Sequence, residues 1–177
     1  ILFLYRNLLN IQLDDTLIEF VRPKKGKRVP TVLSKDEAKA VINSMTYPYK
    51  LMAQIMYGGG LRLMECLRLR VNDIAFENHR IIIYDAKGGD DRVTMLPDSM
   101  IKPLKEHLQR VRQIHQKDLA AGQGAVYMPY ALDKKFPNAS KQWIWQYIFP
   151  ASNLYTDPQT GITSRHHIHE TALQRAI

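Results

Sequence analysis

The sequence holds a single cysteine, Cys66, among 177 residues, so an internal disulfide is excluded. Its place among apolar residues at helical spacing predicts a buried, structural thiol in a reducing compartment. Acids are also in short supply. Lys and Arg outnumber Asp and Glu by 25 to 17, for a formal net charge of +8 and a pI near 9.6. That balance suits a polyanionic partner such as nucleic acid, although a merely soluble basic protein would share it. Long apolar runs are missing. "ILFLYRNLLNIQL" is broken by Arg6 and Asn7 and falls short of the roughly 20 residues a membrane span needs; it also lacks the basic start and cleavage site of a signal peptide. No membrane partner is expected, and a cytoplasmic location follows. The chain shows no internal repeat and no low-complexity tract. It does not begin with Met, and "TALQRAI" stops inside a helix-like pattern, so both ends read as cuts.

What is present is 45% hydrophobic residues, enough for one compact domain with a core. Residues 1–21 read as the closing helix of something upstream. "VRPKKGKRVP" follows, with Pro23, Gly26 and Pro30 as breakers and cations without an acid. It is a linker over residues 22–30, either a solvated tether or a strap whose Lys24, Lys25, Lys27 and Arg28 lie along a phosphate backbone. Ser34 and Glu37 form a capping box that opens an amphipathic helix. "YKLMAQIMYGGG" reads as a second helix halted by its glycines, and "RLMECLRL" as a restart. "NDIAF", "RIIIYD" and "RVTML" predict three short antiparallel strands. A long helix is predicted from Asp98, as N-cap, to near Gly122, with Pro103 close enough to its first turn to be tolerated. Residues 123–163 are irregular, with one short helix around "KQWIWQYIF", and residues 164–177 begin a last helix. The fold class is therefore mainly α with a small three-stranded antiparallel sheet (α+β).

Two short stretches carry chemistry. In "YGGGLRLMECLRLRVNDI" the glycines permit positive φ and close approach of another backbone or a phosphate. Arg62 then sits at a helix start that favours anions, and its planar fork of donors matches two oxygens of one phosphate. Glu65, three residues on, shares its face and can orient it. A plain helix cap followed by an exposed ion pair has the same sequence. In "YDAKGGDDRVTML", Lys87 stands at a hairpin tip, where it is either a surface turn lysine or a cation reaching for a ligand; a lysine there suits proton donation, because its pKa can be lowered toward neutrality.

Together, "YGGGLRLMECLRLRVNDI" and the later "AKGGDDRVTMLP" resemble the catalytic domain of the tyrosine recombinases, the phage-integrase family of DNA strand transferases. The resemblance covers roughly residues 30–177, with 1–21 similar to the end of that family's helical core-binding domain. It implies a tyrosine-recombinase catalytic-domain fold, C-terminally incomplete. It also implies an attack by a tyrosine on a DNA phosphodiester, a covalent 3′-phosphotyrosyl intermediate, no metal and no cofactor. Carried over by motif, Arg62 would hold non-bridging oxygens, Lys87 would protonate the leaving 5′-oxygen and Glu65 would support the site. The family pattern also needs a downstream H-x-x-R box, a further His or Trp, and the nucleophile. No arginine stands three residues after His166, His167 or His169, and all nine tyrosines precede the place where the box should fall. The expectation is a chain that binds DNA without completing cleavage unaided, cut from a parent strand transferase that works as a tetramer.

Residues 121–165 resemble the additional segment of integron integrases, which insert and excise gene cassettes at double-stranded sites and at folded single-stranded ones. Integron integrases are similar to one another in reading bases that project from the folded stem. Trp143 and Trp145, with Lys141 nearby, would stack on such bases, or one or both would fill the core. His166 and His167 would touch phosphate or a base, or simply lie on a helix surface. Two histidines on one helical face with no cysteine partners do not make a zinc site. The rival readings are a phage or Xer-like recombinase, and a non-catalytic DNA-binding module or decayed remnant.

Overall fold

In a computed structural model of the chain, the described residues are 7–11, 32–84, 90–129, 132–136 and 138–177. The chain divides into two compact units, Ile1–Leu33 and Ser34–Ile177, and every element named below belongs to the second. The linker cations Lys24, Lys25, Lys27 and Arg28, and the hairpin-tip Lys87, lie outside the described residues.

Helix α1 (Lys35–Ser44) opens on the predicted capping box: the Glu37 backbone N–H donates to Ser34 Oγ at 3.3 Å, and the Ser34 N–H donates to Glu37 Oε2 at 2.8 Å. Helix α2 (Tyr49–Gly59) buries Leu51, Met52, Ile55 and Gly59, one stripe at helical spacing. It ends at Gly60, whose φ of 63° is left-handed and whose N–H donates to Met56 O. Helix α3 (Leu63–Arg68) follows at once and buries Cys66 and Leu67. A 3-10 turn (Val71–Asp73) leads into the sheet.

Strands β1 (Ile74–Ala75), β2 (Arg80–Ile83) and β3 (Arg92–Met95) pair antiparallel in that order. Register decides what each side chain meets. Ile81 and Ile83, buried at the core, stand opposite Thr94 and Arg92, while Arg80 and Ile82 stand opposite the exposed Met95 and Val93. A strand alternates its faces, so Arg92 and Thr94 point to the same side as the core isoleucines.

Helix α4 (Asp98–Ala120) is capped by Pro97 rather than by Asp98. Asp98 instead reaches His79 Nδ1 at 2.6 Å. Pro103 lies inside the helix, in its second turn. The carbonyl it leaves without a donor belongs to the exposed Ser99, so water can supply the missing bond. Beyond α4, a short helix α5 (Leu132–Lys135) is followed by two 3-10 turns, Ala139–Lys141 and Trp143–Trp145, in place of the expected short α-helix. Glutamine favours the break: Gln146 Nε2 donates to the carbonyls of Gly124, Ser140 and Gln142, the last two of which an α-helix here would have occupied itself. Strands β4 (Tyr155–Thr156) and β5 (Thr163–Ser164) form a separate pair, and helix α6 (Glu170–Gln174) closes the chain.

The main core gathers Met52, Ile55, Leu67, Ile81, Leu96 and Leu104 with Ile148 and Phe149. The last two come from the irregular segment, so that segment is packed structure. Each fully buried side chain of this kind contributes about 1.5–3 kcal/mol. A second, smaller cluster of Val126, Met128, Ala139 and Tyr147 lies under the same segment. The arrangement is mainly helical with one small three-stranded antiparallel sheet, as the sequence pattern predicts.

Candidate functional site: a basic cleft

The three glycines seat the end of α2 on β3. Thr94 Oγ1 donates to Gly59 O at 2.7 Å and Arg92 Nη2 to Gly60 O at 3.0 Å. A Cβ on Gly59 would stand 2.6 Å from Leu61 Cδ1 and 3.3 Å from Met95 O; one on Gly58 would stand 2.7 Å from Pro97 Cγ. Close packing at Gly58 and Gly59 and a left-handed φ at Gly60, rather than flexibility, are what the glycines supply here.

Arg62 is the N-cap of α3. Glu65 folds back onto it: the Arg62 backbone N–H donates to Oε2 at 2.8 Å and its Nη1 to Oε1 at 2.7 Å. The helix start thus has its own carboxylate on the N-cap N–H, and the anion-attracting part of Arg62 is its side chain, 57% exposed. Glu65 is shared. Arg92 Nη2 donates to Oε2 at 2.7 Å. Burial pushes the Glu65 carboxyl up, but the Arg62 N–H and the guanidinium groups of Arg92 and Arg62 outweigh it and hold the group below its usual range. Arg92 is the residue that sequence reasoning missed. Only the strand register, which turns it inward opposite Ile83, could have pointed to it.

Arg62 and Glu65 line a cleft of about 840 Å³ together with Arg68, Arg70, Asp73, Tyr84, Tyr127, Trp145, Tyr147, His166 and His167. Arg70 is buried and braces the far wall. It donates to the carbonyls of Trp145 (2.7 Å) and Tyr127 (2.8 Å) and to the Tyr147 hydroxyl (3.2 Å), with its guanidinium 4.5 Å from the centre of the Tyr147 ring. Asp73 accepts the Arg70 N–H at 2.8 Å, and burial pushes its carboxyl up to about 6 against that bond and the guanidinium charge. Burial likewise raises the Tyr147 phenol, although Arg70 and Arg68 oppose it. A raised pKa and a hydroxyl already bonded to Arg70 unsuit Tyr147 as a nucleophile.

The two tryptophans part company. Trp145 lines the cleft and packs on the smaller cluster. Trp143 packs against the main core, its ring 6.0 Å from that of His115. Lys141 is exposed. His166 and His167 do not lie on a helix: Pro150 bridges to His167, the Ala151 N–H donates to His166 O at 2.7 Å, and α6 begins only after His169, which caps it. The chain is held extended here because Arg165 is clamped. Its Nε and Nη2 grip Asp118 at 2.6 and 2.7 Å, and Nη1 donates to the carbonyls of Ala151 and Ser152. His167 Nδ1–H donates to Ile168 O at 2.8 Å. Its pKa is lowered, first by burial and then by the charges of His166, Arg68 and His169 against that bond, so His167 is neutral at pH 7. One H-x-x-R spacing does occur upstream, at His107 and Arg110. His107 is buried, however, between Tyr47 Oη (2.7 Å) and Ile148 O (2.6 Å), and Arg110 stacks on Tyr47; neither lines the cleft. Among the described residues no group of three or more His, Cys, Asp or Glu is placed to hold a metal, and no helix is long and apolar enough to cross a membrane.

A small sheet that aims one arginine, a glycine turn docked on it, and a cleft walled by three arginines define an α+β domain with a cation-lined cleft. The sequence profile of the phage integrase family matches residues 31–171, and the chain belongs to that family, the tyrosine recombinases. It is 39% identical over all 177 residues to proteins named "Integrase/recombinase" from Escherichia coli and from Pseudomonas aeruginosa, and spans 52% of each. The chain therefore spans about half the length of these curated relatives. It is 31% identical over 98 residues, 55% of the chain and 34% of the relative, to the tyrosine recombinase XerA of Pyrococcus horikoshii. Among solved structures, that of a XerA recombinase aligns over 97% of this chain and 47% of its own, with a TM-score of 0.48 and 17% identity.

Proposed function

We propose that these residues form the DNA-gripping part of a site-specific recombinase that integrates and excises gene cassettes at integron sites. The observation that carries the reading is the Arg62 guanidinium, exposed at the rim of a cationic cleft and oriented by a carboxylate that Arg92 holds from behind. In this reading Arg62 takes two non-bridging oxygens of the scissile phosphate, and its charge meets the charge that builds on them in the transition state. Glu65 fixes its direction. In the intact recombinase, Lys87 donates a proton to the leaving 5′-oxygen as the phosphorus–oxygen bond breaks and the nucleophilic tyrosine's bond to phosphorus forms, a step this chain does not complete unaided. None of these steps requires a cofactor. Residues 1–21 belong to a helical core-binding domain, 22–30 are a strap whose Lys24, Lys25, Lys27 and Arg28 follow the phosphate backbone, and 31–177 belong to the catalytic domain, which pairs with copies of itself on DNA in the cytoplasm.

In favour of the integron reading, the relatives from Escherichia coli and Pseudomonas aeruginosa align through the whole 121–165 segment, whereas the Pyrococcus horikoshii sequence aligns over 55% of the chain. The cleft position of Trp145 fits stacking on a base that projects from a folded site. His166 and His167 line the same cleft, and the neutral His167 suits a base edge better than a phosphate.

Gel-shift titrations of the chain with a DNA hairpin carrying unpaired bases, and with the perfectly paired duplex of the same sequence, test this. The hairpin should bind more tightly. Trp145→Ala should weaken hairpin binding by about 1–3 kcal/mol and leave duplex binding alone. Equal affinity for the two DNAs, or indifference to the loss of Trp145, rejects the projecting-base reading; no DNA binding at all rejects the function.

A further inference from the structure

Helix α3 puts a second arginine on the cleft. Arg62 caps its start and Arg68 is its last residue. Six residues of α-helix rise about 9 Å, so the two guanidinium groups stand on the same cleft at opposite ends of a short rod, with the rings of Tyr127, Trp145 and Tyr147 along the wall between the helix and the irregular segment.

Their electrostatic circumstances differ. Arg62 leans on Glu65, and Arg92 shares that carboxylate. Arg70 is spent on three protein acceptors. Arg68 is exposed and has neither a hydrogen bond nor an ion pair with any described residue. Its charge perturbs Tyr147 and His167; neither carries a negative charge at pH 7. Three arginines therefore line the cleft against the carboxylates of Glu65 and Asp73, with Arg92 behind drawing on Glu65 as well. The surplus positive charge is concentrated at Arg68. A free cation on an apolar and aromatic wall, in a cleft that already holds an anion-facing arginine, fits a second anion held in line with the first.

We propose that Arg68 is a second phosphate-binding position, taking a phosphodiester of the same nucleic-acid strand whose neighbouring phosphate Arg62 grips, with the intervening sugar and base lying over the aromatic wall. The proposal rests on the DNA-binding reading above and adds to it a contact that fixes the line of the strand along the cleft. Two fixed points along α3 set the axis of the strand, whereas Arg62 alone would leave it free to pivot about one phosphate. Because His167 is neutral, Arg68 alone supplies the charge at this end, so one contact should disappear when it is removed.

The test is the salt dependence of DNA binding by the whole chain, compared for wild type, Arg68→Gln, Arg68→Lys and Arg62→Gln, with melting curves as a check that each is folded. Arg68→Gln should weaken binding about tenfold at low salt and lower the slope of log affinity against log salt by about 0.9, the value for one phosphate contact. Arg68→Lys should restore the slope. The double variant with Arg62→Gln should lose about 1.8 in slope, as two independent contacts do. If Arg68→Gln leaves slope and affinity unchanged while Arg62→Gln lowers both, the second position is rejected and the DNA-binding reading stands. If wild type shows no salt-dependent DNA binding, both fall. Titration with inorganic phosphate, followed by NMR, separates the sources. Shifts at Arg68 with no effect of Arg68→Gln on DNA binding would identify a site for free phosphate and overturn the assignment.

Discussion

Arg92, on the edge strand β3, donates to the Glu65 carboxylate at 2.7 Å across 27 residues of sequence. This contact turns a local helix cap into a shared anchor for two arginines. Glu65→Ala should destabilise the fold by about 1.5–3 kcal/mol in chemical denaturation, because it strips a half-buried Arg92 of its charged partner while solvent relieves the exposed Arg62. Glu65→Gln, which can still accept the Arg62 N–H, should lose less. The sign with pH follows from the carboxyl being held low. Its contribution is fully present above the unfolded value, about 4.3, and is lost as pH falls through the lower folded value, so the gap between wild type and Glu65→Gln should close in acid.

The glycines of the docked turn should differ in a defined order. Gly60 has a left-handed φ of 63° and open space around it, so Gly60→Ala should cost about 1 kcal/mol from backbone strain alone. Gly59→Ala must push on Leu61 and the Met95 carbonyl and should cost about 1–3 kcal/mol. Urea denaturation of the two variants measures the order, and a smaller loss at Gly59 would contradict the docking.

His107 needs to be neutral, with Nε2–H donating to Ile148 O and Nδ1 accepting from Tyr47. Burial lowers its pKa, opposed by the bond to Ile148 and assisted by Arg110. The unfolded chain therefore takes up the proton first, and this histidine's contribution, complete above about pH 6.5, is lost as pH falls below it. Asp73, raised to about 6, works in the opposite direction between about pH 6 and its unfolded value near 3.9. Melting temperatures of wild type minus His107→Gln across this range isolate the histidine, and the difference should shrink steadily toward acid.

Arg70→Met should remove the brace between the end of α3 and the irregular segment. It leaves the Trp145 and Tyr127 carbonyls without a buried donor and Asp73 without its cation, at a cost of about 3–5 kcal/mol. Limited proteolysis should then cut within residues 123–163 well before the helices, whereas an unchanged cleavage pattern would show that the segment is held by packing alone.

The spacing of three and four residues is what a sequence states openly. It foretold the Ser34–Glu37 box, the helix that halts at Gly60, the pairing of Arg62 with Glu65 and the presence of three strands, all of which depend on neighbours within a turn or a hairpin. Asp98 misled because a cap is chosen by the backbone of Pro97, and "KQWIWQYIF" misled because the Gln146 amide, by bonding the carbonyls of Ser140 and Gln142 as well as that of Gly124, competes with the helix its residues would otherwise form. The same limit applies to "SRHHIHE". Its helical spacing is overruled by Arg165, whose partner Asp118 lies 47 residues away.

By itself, then, the sequence determined the family, the helical and hairpin punctuation, and the arginine with its supporting glutamate, because each is written in contacts between near neighbours. Tertiary structure alone decided that Arg92 stands behind Glu65, that Arg70 binds the irregular segment to the cleft, that Trp145 faces the cleft while Trp143 packs on the core, and that Arg68 is left without a partner among the described residues. Strand register and burial set these contacts, and both depend on residues far apart along the chain.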